Sequence, residues 1–209
     1  MEGDTLTWSS MPLRVHGAWL AVARPLEGTL FASDDGRVEW RCLQPASLVA
    51  LRVGDADGEP SRAVAGLGYA EHLTLTIPPW RMPIRELHWG RFVSSLDDAA
   101  EHASLVWIDW RGPHAARHVY LDGVSVEAEV SVERVVVAGG ATLSLDRRDV
   151  LREGVLGATV LDAIPELAKR VPGNMLGVHE RKWRSRGVLE RPGRPPVEGW
   201  AIHEVVRWP

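Results

Sequence analysis

The chain has 209 residues, 45% of them apolar, and a formal net charge of −4. That size suits one large β domain or two small ones around a real core, and the composition excludes disorder as the main state. The acidic balance gives no electrostatic case for nucleic acid, whose binders usually carry a basic face.

Cys42 is the only cysteine, so no internal disulfide can form. The segment Met1-Glu2-Gly3-Asp4 is acidic, and no apolar stretch is long enough for a signal peptide or a membrane span. The sequence therefore predicts a cytoplasmic protein. Ten Trp stand against two Phe and two Tyr. A buried indole needs a partner for its N–H, so such a composition favours wide cavities and interfaces, and a homodimer is one arrangement it allows.

Period-two alternation dominates. In chain order, strands are expected at 17–24, 28–33, 37–42, 46–53, 68–76, 87–94, 103–110, 118–121, 124–133, 134–146, 176–189 and 199–208. Asp34-Asp35-Gly36, Gly139-Gly140 and above all Asp122-Gly123 read as turns between them. Pro78-Pro79 and Pro83 make a strand-free connector, and a subdomain boundary is placed there, giving 1–77 and 78–209. One short helix is expected near 158–170, and residues 190–197 read as a surface loop. Many short strands with few helices imply a mainly β, antiparallel barrel or sandwich.

Five stretches could carry chemistry. In Gly66-Leu67-Gly68-Tyr69-Ala70-Glu71-His72 the glycines permit a close approach, and Glu71 projects with Tyr69 while His72 faces away. Trp80 begins the second stretch, where Trp89 and Arg91 share one face, His88 takes the other, and Gly90 makes room for a bulky ring or a ligand. Asp109 and Trp110 follow an apolar run, where Asp109 is tolerated inside a buried strand only if paired, or else ends the strand and bonds Arg111 or a backbone N–H. The fourth, His179 to Arg186, puts Glu180, Lys182 and Arg184 on one side and Trp183 on the other. It is either a charged edge strand or one wall of a polar barrel interior. In the last, Glu204 interrupts a face made of Trp200, Ile202, Val206 and Trp208, beside His203. A carboxyl there is either protonated or paired, with Lys182 or Arg184 the expected partners.

Metal-ligand spacings, phosphate loops, nucleophile elbows and dinucleotide fingerprints are absent, so neither a metal nor a cofactor is expected.

Gly66-x-Gly68-Tyr69-x-Glu71-His72, Leu87-x-Trp89-Gly90, the Trp-rich strand and the Asp122-Gly123 turn together resemble the lipocalin-like family of carotenoid 1,2-hydratase and AttH proteins. Glu71 stands where that family has Asp, and Leu73-Thr74 replaces a frequent Trp-Gly. The resemblance implies tandem lipocalin-like β-barrels. About 65 residues precede the motif, so it implies a trimmed first barrel, or one composite barrel. The expected function is cofactor-independent hydration, isomerisation or cyclisation of a hydrophobic, polyene-like molecule. Glu71 or Glu204 would be the acid and His72, His88 and His203 would relay protons. Arg91, Glu180, Lys182 and Arg184 would orient polar groups, and Tyr69, Trp80, Trp89, Trp110, Trp183 and Trp200 would form walls. The alternatives are a carrier that binds such a ligand without reaction, and a structural β protein with Trp at an interface.

Overall fold

The computed structural model describes residues 5–54, 62–94, 103–159, 166 and 169–209. Fifteen strands are present among them, all observed pairings being antiparallel. The first five are β1 (Thr5–Ser10), β2 (Val15–Ala21), β3 (Leu26–Ser33), β4 (Gly36–Val53) and β5 (Arg62–Leu75). They form one sheet in the order β1-β2-β4-β3, with β5 also on β4. The next five are β6 (Glu86–Ser94), β7 (Ser104–Arg111), β8 (Ala116–Leu121), β9 (Val124–Ser125) and β10 (Ala128–Val130). The last five are β11 (Arg134–Val137), β12 (Thr142–Leu145), β13 (Asp149–Val155), β14 (His179–Arg191) and β15 (Arg194–Arg207). These ten make a second sheet, β10-β11-β12-β14-β15-β6-β7-β8-β9, with β13 on the first half of β14. The architecture is mainly β, antiparallel and curled, in keeping with a lipocalin-like barrel.

The chain divides into two compact units, Met1–Glu27 with Trp40–Leu73, and Gly28–Glu39 with Thr74–Pro209. In the first unit Trp19 packs beside Gly68. A Cβ on Gly68 would lie 2.0 Å from Val49 Cγ2 and 2.6 Å from Trp19 Cδ1. The close approach read from Gly66-x-Gly68 is thus made by an indole.

In the second unit each strand of the ten-stranded sheet has an inner and an outer face, because directly paired residues share a face. One inner row runs Trp183–His203–Gly90–Trp107–Val119, and the next runs Arg181–Val205–His88–Asp109–Arg117. Phe92, Leu105, Trp107, Val135, Leu143, Leu189 and their neighbours pack the inner face into one apolar cluster. Gly90 makes room for Trp107: a Cβ there would meet its Cζ2 at 2.2 Å and His203 Cβ at 2.6 Å. The space foreseen at Gly90 therefore holds a ring of the protein itself. Interior filling by side chains is the normal solution for a small barrel.

Asp109 is 2% exposed and accepts from Arg111 Nε at 2.7 Å and Arg117 Nε at 2.9 Å. Those guanidiniums also donate to backbone carbonyls of β10, Arg111 to Val130 at 2.6 Å and Arg117 to Ala128 at 2.8 Å. Together with Val126 N–H donating to the Val119 carbonyl, they tie β10 back to β7 and β8. The pairing demanded of Asp109 is met twice.

Several sequence expectations are corrected. Residues 124–133 are not one strand but β9 and β10, broken at Val126-Glu127, although the Asp122-Gly123 hairpin forms with both residues at positive φ. Gly139 and Gly140, both at positive φ, split 134–146 into β11 and β12. The stretch 190–197 is not a loop: β14 and β15 meet at a two-residue Pro192-Gly193 turn, and a register shift between Leu189 and Arg191 takes up the prolines that follow. Nor is β14 an edge strand, since β15 flanks it on one side and β12 and β13 on the other. Strands β1 and β13 and the short helix Gly173–Leu176 (α1) were not expected. The helix expected near 158–170 falls largely outside the described residues. Among the described residues no helix is long and apolar enough to cross a membrane.

Gly90→Ala should destabilise the fold by about 2 kcal/mol, because neither the Trp107 ring nor the β15 backbone can retreat. Urea denaturation of the variant measures this, and an unchanged midpoint would show that the second unit is loosely packed at its centre.

Candidate functional site

The outer face of the second sheet carries the most unusual chemistry. Its central row is Arg152–Lys182–Glu204–Trp89–Ile108, drawn from β13, β14, β15, β6 and β7. Lys182 Nζ lies 2.6 Å from Glu204 Oε2, close enough to pair with that carboxyl once it is ionised. It is also 3.7 Å from Glu180 Oε1 and 5.8 Å from the centre of the Trp89 ring. Arg152 donates to the same Glu180 oxygen through Nε at 3.0 Å and Nη2 at 2.5 Å. Two carboxyls therefore share two cations. The Glu180 residue is 4% exposed, and the Glu204 side chain retains 16% exposure.

Burial raises the pKa of Glu204, and the neighbouring Glu180 carboxyl raises it further, while Lys182 pulls the other way. Burial prevails and the net shift is upward. Two neighbouring carboxyls disfavour each other's ionisation, so Glu180 adds to the upward shift of Glu204. Glu204 lies on a face whose Trp89, Ile202 and Val206 are only half-buried. The partner expected for Glu204, Lys182, is the partner found. Arg184 instead pairs with Asp149 at 2.8 Å and lies over Trp200, 5.2 Å from its ring centre.

The inner face holds a second polar group. His203 is 2% exposed, stacks on Trp183 at 5.1 Å and shares a hydrogen bond of 2.8 Å with Ser185 Oγ. Burial lowers its pKa from 6.5 to about 4, with Arg147 and His88 adding to the effect. His88 is 4% exposed, and its Nε2 meets Glu86 Oε1 at 2.6 Å. Burial lowers its pKa too, against the pull of Glu86. Glu86 also receives Arg111 and Arg207, and although burial opposes it, its hydrogen bonds from Arg207 and His88 hold its carboxyl down to about 2. Both imidazoles are neutral at pH 7.

Tyr69, Glu71 and His72 belong to the first unit. Glu71 Oε2 accepts from Tyr69 Oη and from Trp40 Nε1, each at 2.7 Å. Burial raises the Tyr69 pKa far above the usual phenol range, helped by Glu71 and Cys42. Its hydroxyl stays protonated as a donor. His72 is exposed on the opposite face, as the alternation required. Among the residues of the second unit, the structure brings Glu180, Lys182, Glu204 and Trp89 together outside, and His88, Trp183 and His203 inside. Arg91 is half-buried on the outer face, whereas Trp80 and Trp200 are 40% and 43% exposed. Arg152, Glu86 and Ser185 were not foreseen as site residues. The signal for Arg152 was faint, a single base in the weakly alternating stretch 149–155.

An open cleft of about 680 Å³ lies at the β1–β2 hairpin end of the first unit, lined by Ser9, Arg14, His16 and Arg52 among others, and includes none of the candidate residues. Among the described residues no cluster of His, Cys, Asp or Glu is placed to hold a metal ion.

The raised Glu204 pKa has a stability consequence with a definite sign. Over a window above 4.5 the folded carboxyl keeps a proton that the unfolded one has lost, so this group's contribution falls as pH rises through that window. Wild type should therefore lose stability relative to Glu204→Gln as pH increases above about 4.5, as read from urea midpoints. His203 acts in the other sense: its low folded pKa costs stability as pH falls from 6.5 towards about 4, on the order of 3 kcal/mol for one buried imidazole. His203→Gln should flatten that limb, and a slope identical to wild type would refute the assignment.

No family model matches the chain, and no curated protein matches it. Among solved structures, the crystal structure of CghA with Sch210972 is similar over 98% of this chain, with a TM-score of 0.54 and 12% identity. The chain spans 65% of the length of that structure. The likeness is one of fold.

Proposed function

We propose that this protein binds a hydrophobic, polyene-like small molecule on the outer face of its second sheet and transforms it by proton donation from Glu204. The observation that carries this reading is the Glu204 carboxyl, its pKa raised by burial and by Glu180, standing beside Lys182 and Trp89. Burial and Glu180 favour the protonated form before reaction. On transfer to a carbon–carbon double bond, a new C–H bond forms, a carbocation develops and Glu204 becomes a carboxylate. Lys182, 2.6 Å away, is placed to stabilise that carboxylate, an interaction that strengthens only as the reaction proceeds. Addition of water, loss of a neighbouring proton or ring closure would then give hydration, isomerisation or cyclisation.

Two supports come from outside the site. The sequence motifs resemble the carotenoid 1,2-hydratase and AttH family. The fold is similar to CghA, a structure solved with the ligand Sch210972. In the first unit, Glu71 with Tyr69 and Trp40 is a second carboxyl centre. It accepts hydrogen bonds from Tyr69 and Trp40 and stands apart from the Lys182 and Glu180 cluster.

The second reading is a carrier, and the Lys182–Glu204 contact favours it, since a paired carboxyl serves structure without chemistry. Glu204→Gln separates the two. Incubated with conjugated polyenes and followed by absorbance and mass spectrometry, wild type should convert a ligand that it binds. Glu204→Gln should bind it within threefold and lose about 100-fold or more in kcat. Turnover equal to wild type in Glu204→Gln would remove the acid role, and binding without turnover in wild type would establish the carrier.

A further inference from the structure

The open cleft of the first unit has a cationic lining, and the β1–β2 hairpin and the end of β4 place it. Ser9 pairs with His16 and His16 with Arg52, so these three side chains form one cross-strand row on a single face. In the connecting turn Arg14 N–H donates to the Met11 carbonyl at 3.1 Å, and the Arg14 carbonyl accepts from Gly54 N–H at 2.9 Å. Those two bonds hold Arg14, at positive φ, against the end of β4, and its side chain lines the same cleft as His16 and Arg52. Ser10 lines it too. Its Oγ accepts from Leu13 N–H at 3.4 Å, which leaves the hydroxyl hydrogen to donate elsewhere.

The chemistry of this lining is one-sided. Arg14 and Arg52 bring two permanent positive charges, Ser9 and Ser10 bring hydroxyls, His16 brings a ring nitrogen, and no acidic side chain lines the cleft among the described residues. Exposed arginines elsewhere are neutralised locally: Arg37 faces Glu39, Arg147 faces Glu133, Arg184 faces Asp149 and Arg186 faces Glu198. Neither Arg14 nor Arg52 has such a partner among the described residues. In a chain of net charge −4, that pair is a local feature and not a reflection of overall composition. A concave wall concentrates the field of the two guanidiniums, and an incoming anion relieves their mutual repulsion.

We propose that this cleft binds the phosphate group of a small phosphorylated molecule whose remainder is apolar. Donors reach in from β1, the turn, β2 and β4, which suits a tetrahedral oxyanion better than a flat carboxylate, since one guanidinium fork satisfies the latter. The volume of about 680 Å³ exceeds what a bare phosphate needs and matches an organic ligand of moderate size. Met11 and Val15 supply the apolar part of the lining. The same group is presented by a soluble phosphomonoester and by a phosphatidic acid headgroup, and the test separates the two. The site is independent of the reading of Glu204.

The full chain is titrated with geranyl phosphate, with geraniol and with inorganic phosphate, followed by calorimetry and by the side-chain resonances of His16 and Arg52. Geranyl phosphate should bind at least about tenfold more tightly than geraniol, shift both sets of resonances and weaken as salt is added. Inorganic phosphate should move the same resonances with lower affinity. Arg14→Gln and Arg52→Gln alter exposed side chains, so each should keep the wild-type urea midpoint while weakening geranyl phosphate at least about tenfold. Flotation with phosphatidylcholine vesicles only when they contain phosphatidic acid assigns the headgroup source, and binding of geranyl phosphate without flotation assigns the soluble one. Asp55, Asp57 and Glu59 follow Gly54 in the sequence and lie outside the described residues. Binding that appears only after Asp55→Asn, Asp57→Asn and Glu59→Gln are combined would show that the chain's own carboxylates serve the two arginines, and would overturn the proposal. Equal affinity for geranyl phosphate and geraniol, or affinity unchanged in both arginine variants, overturns it as well. So does the absence of binding to every phosphate probe and vesicle, and the Glu204 reading is untouched by any of these results.

Discussion

The second unit depends on one buried carboxylate. Asp109 lies within a strand that is buried on both faces, where an unpaired charge would be severely unfavourable. It holds Arg111 and Arg117 by their Nε atoms and thereby aims both guanidiniums at the carbonyls of β10. A hydrogen-bonding function that strand ladders usually perform is carried out here by side chains, and β10 is tied back beside β7 and β8. Because side chains alternate, fixing Asp109 inward also fixes Ile108 and Trp110 outward. A slip of one residue in β7 would bury the wrong face and remove Trp110 from the side that carries Glu204.

The two faces divide the chemistry. Inside, neutral His88 and His203 are hemmed in by Trp107, Trp183, Ser185 and Glu86, and the apolar cluster fills the space beyond them. Those groups have partners but little access. Outside, Glu180 and Glu204 share Lys182 and Arg152 next to half-buried apolar side chains. A carboxyl of raised pKa, a neighbouring cation and half-buried apolar side chains lie together on that face of the second unit. The outer face is also where β3 meets this sheet within the same unit, with Phe31 against Trp110 and a Cβ on Gly28 coming within 3.1 Å of His118.

Much of this was legible in the sequence. Strict alternation located most strands, Gly68 and Gly90 announced close approaches, Asp109 demanded a partner and the run ending in Trp208 isolated Glu204 on an apolar face. Charge alone left Lys182 and Arg184 as partners for Glu204, and the structure places Lys182 there and Arg184 on Asp149. What stayed hidden depends on distance in the chain. Arg152 reaches Glu180 from a strand both of whose faces are partly exposed, so no hydrophobic period marked it. The roles of Gly90 and Gly68 could not be assigned to a ring or a ligand until Trp107 and Trp19 were placed. Prolines at 192, 195 and 196 suggested a loop because a register shift that absorbs them leaves no local signature. That Gly28–Glu39 groups with Thr74–Pro209 was equally beyond a one-dimensional pattern.

The central claim is that Glu204 holds its proton where an ordinary carboxyl would have lost it. Side-chain ¹³C NMR of glutamate-labelled protein, with Glu204→Gln identifying the signal, measures this directly across pH. A carboxyl resonance that titrates above 4.5, and moves lower when Glu180 is changed to Gln, is the result this account predicts. Titration of Glu204 at or below 4.5, unaffected by Glu180→Gln, would contradict it and leave the Lys182 contact as a simple ion pair.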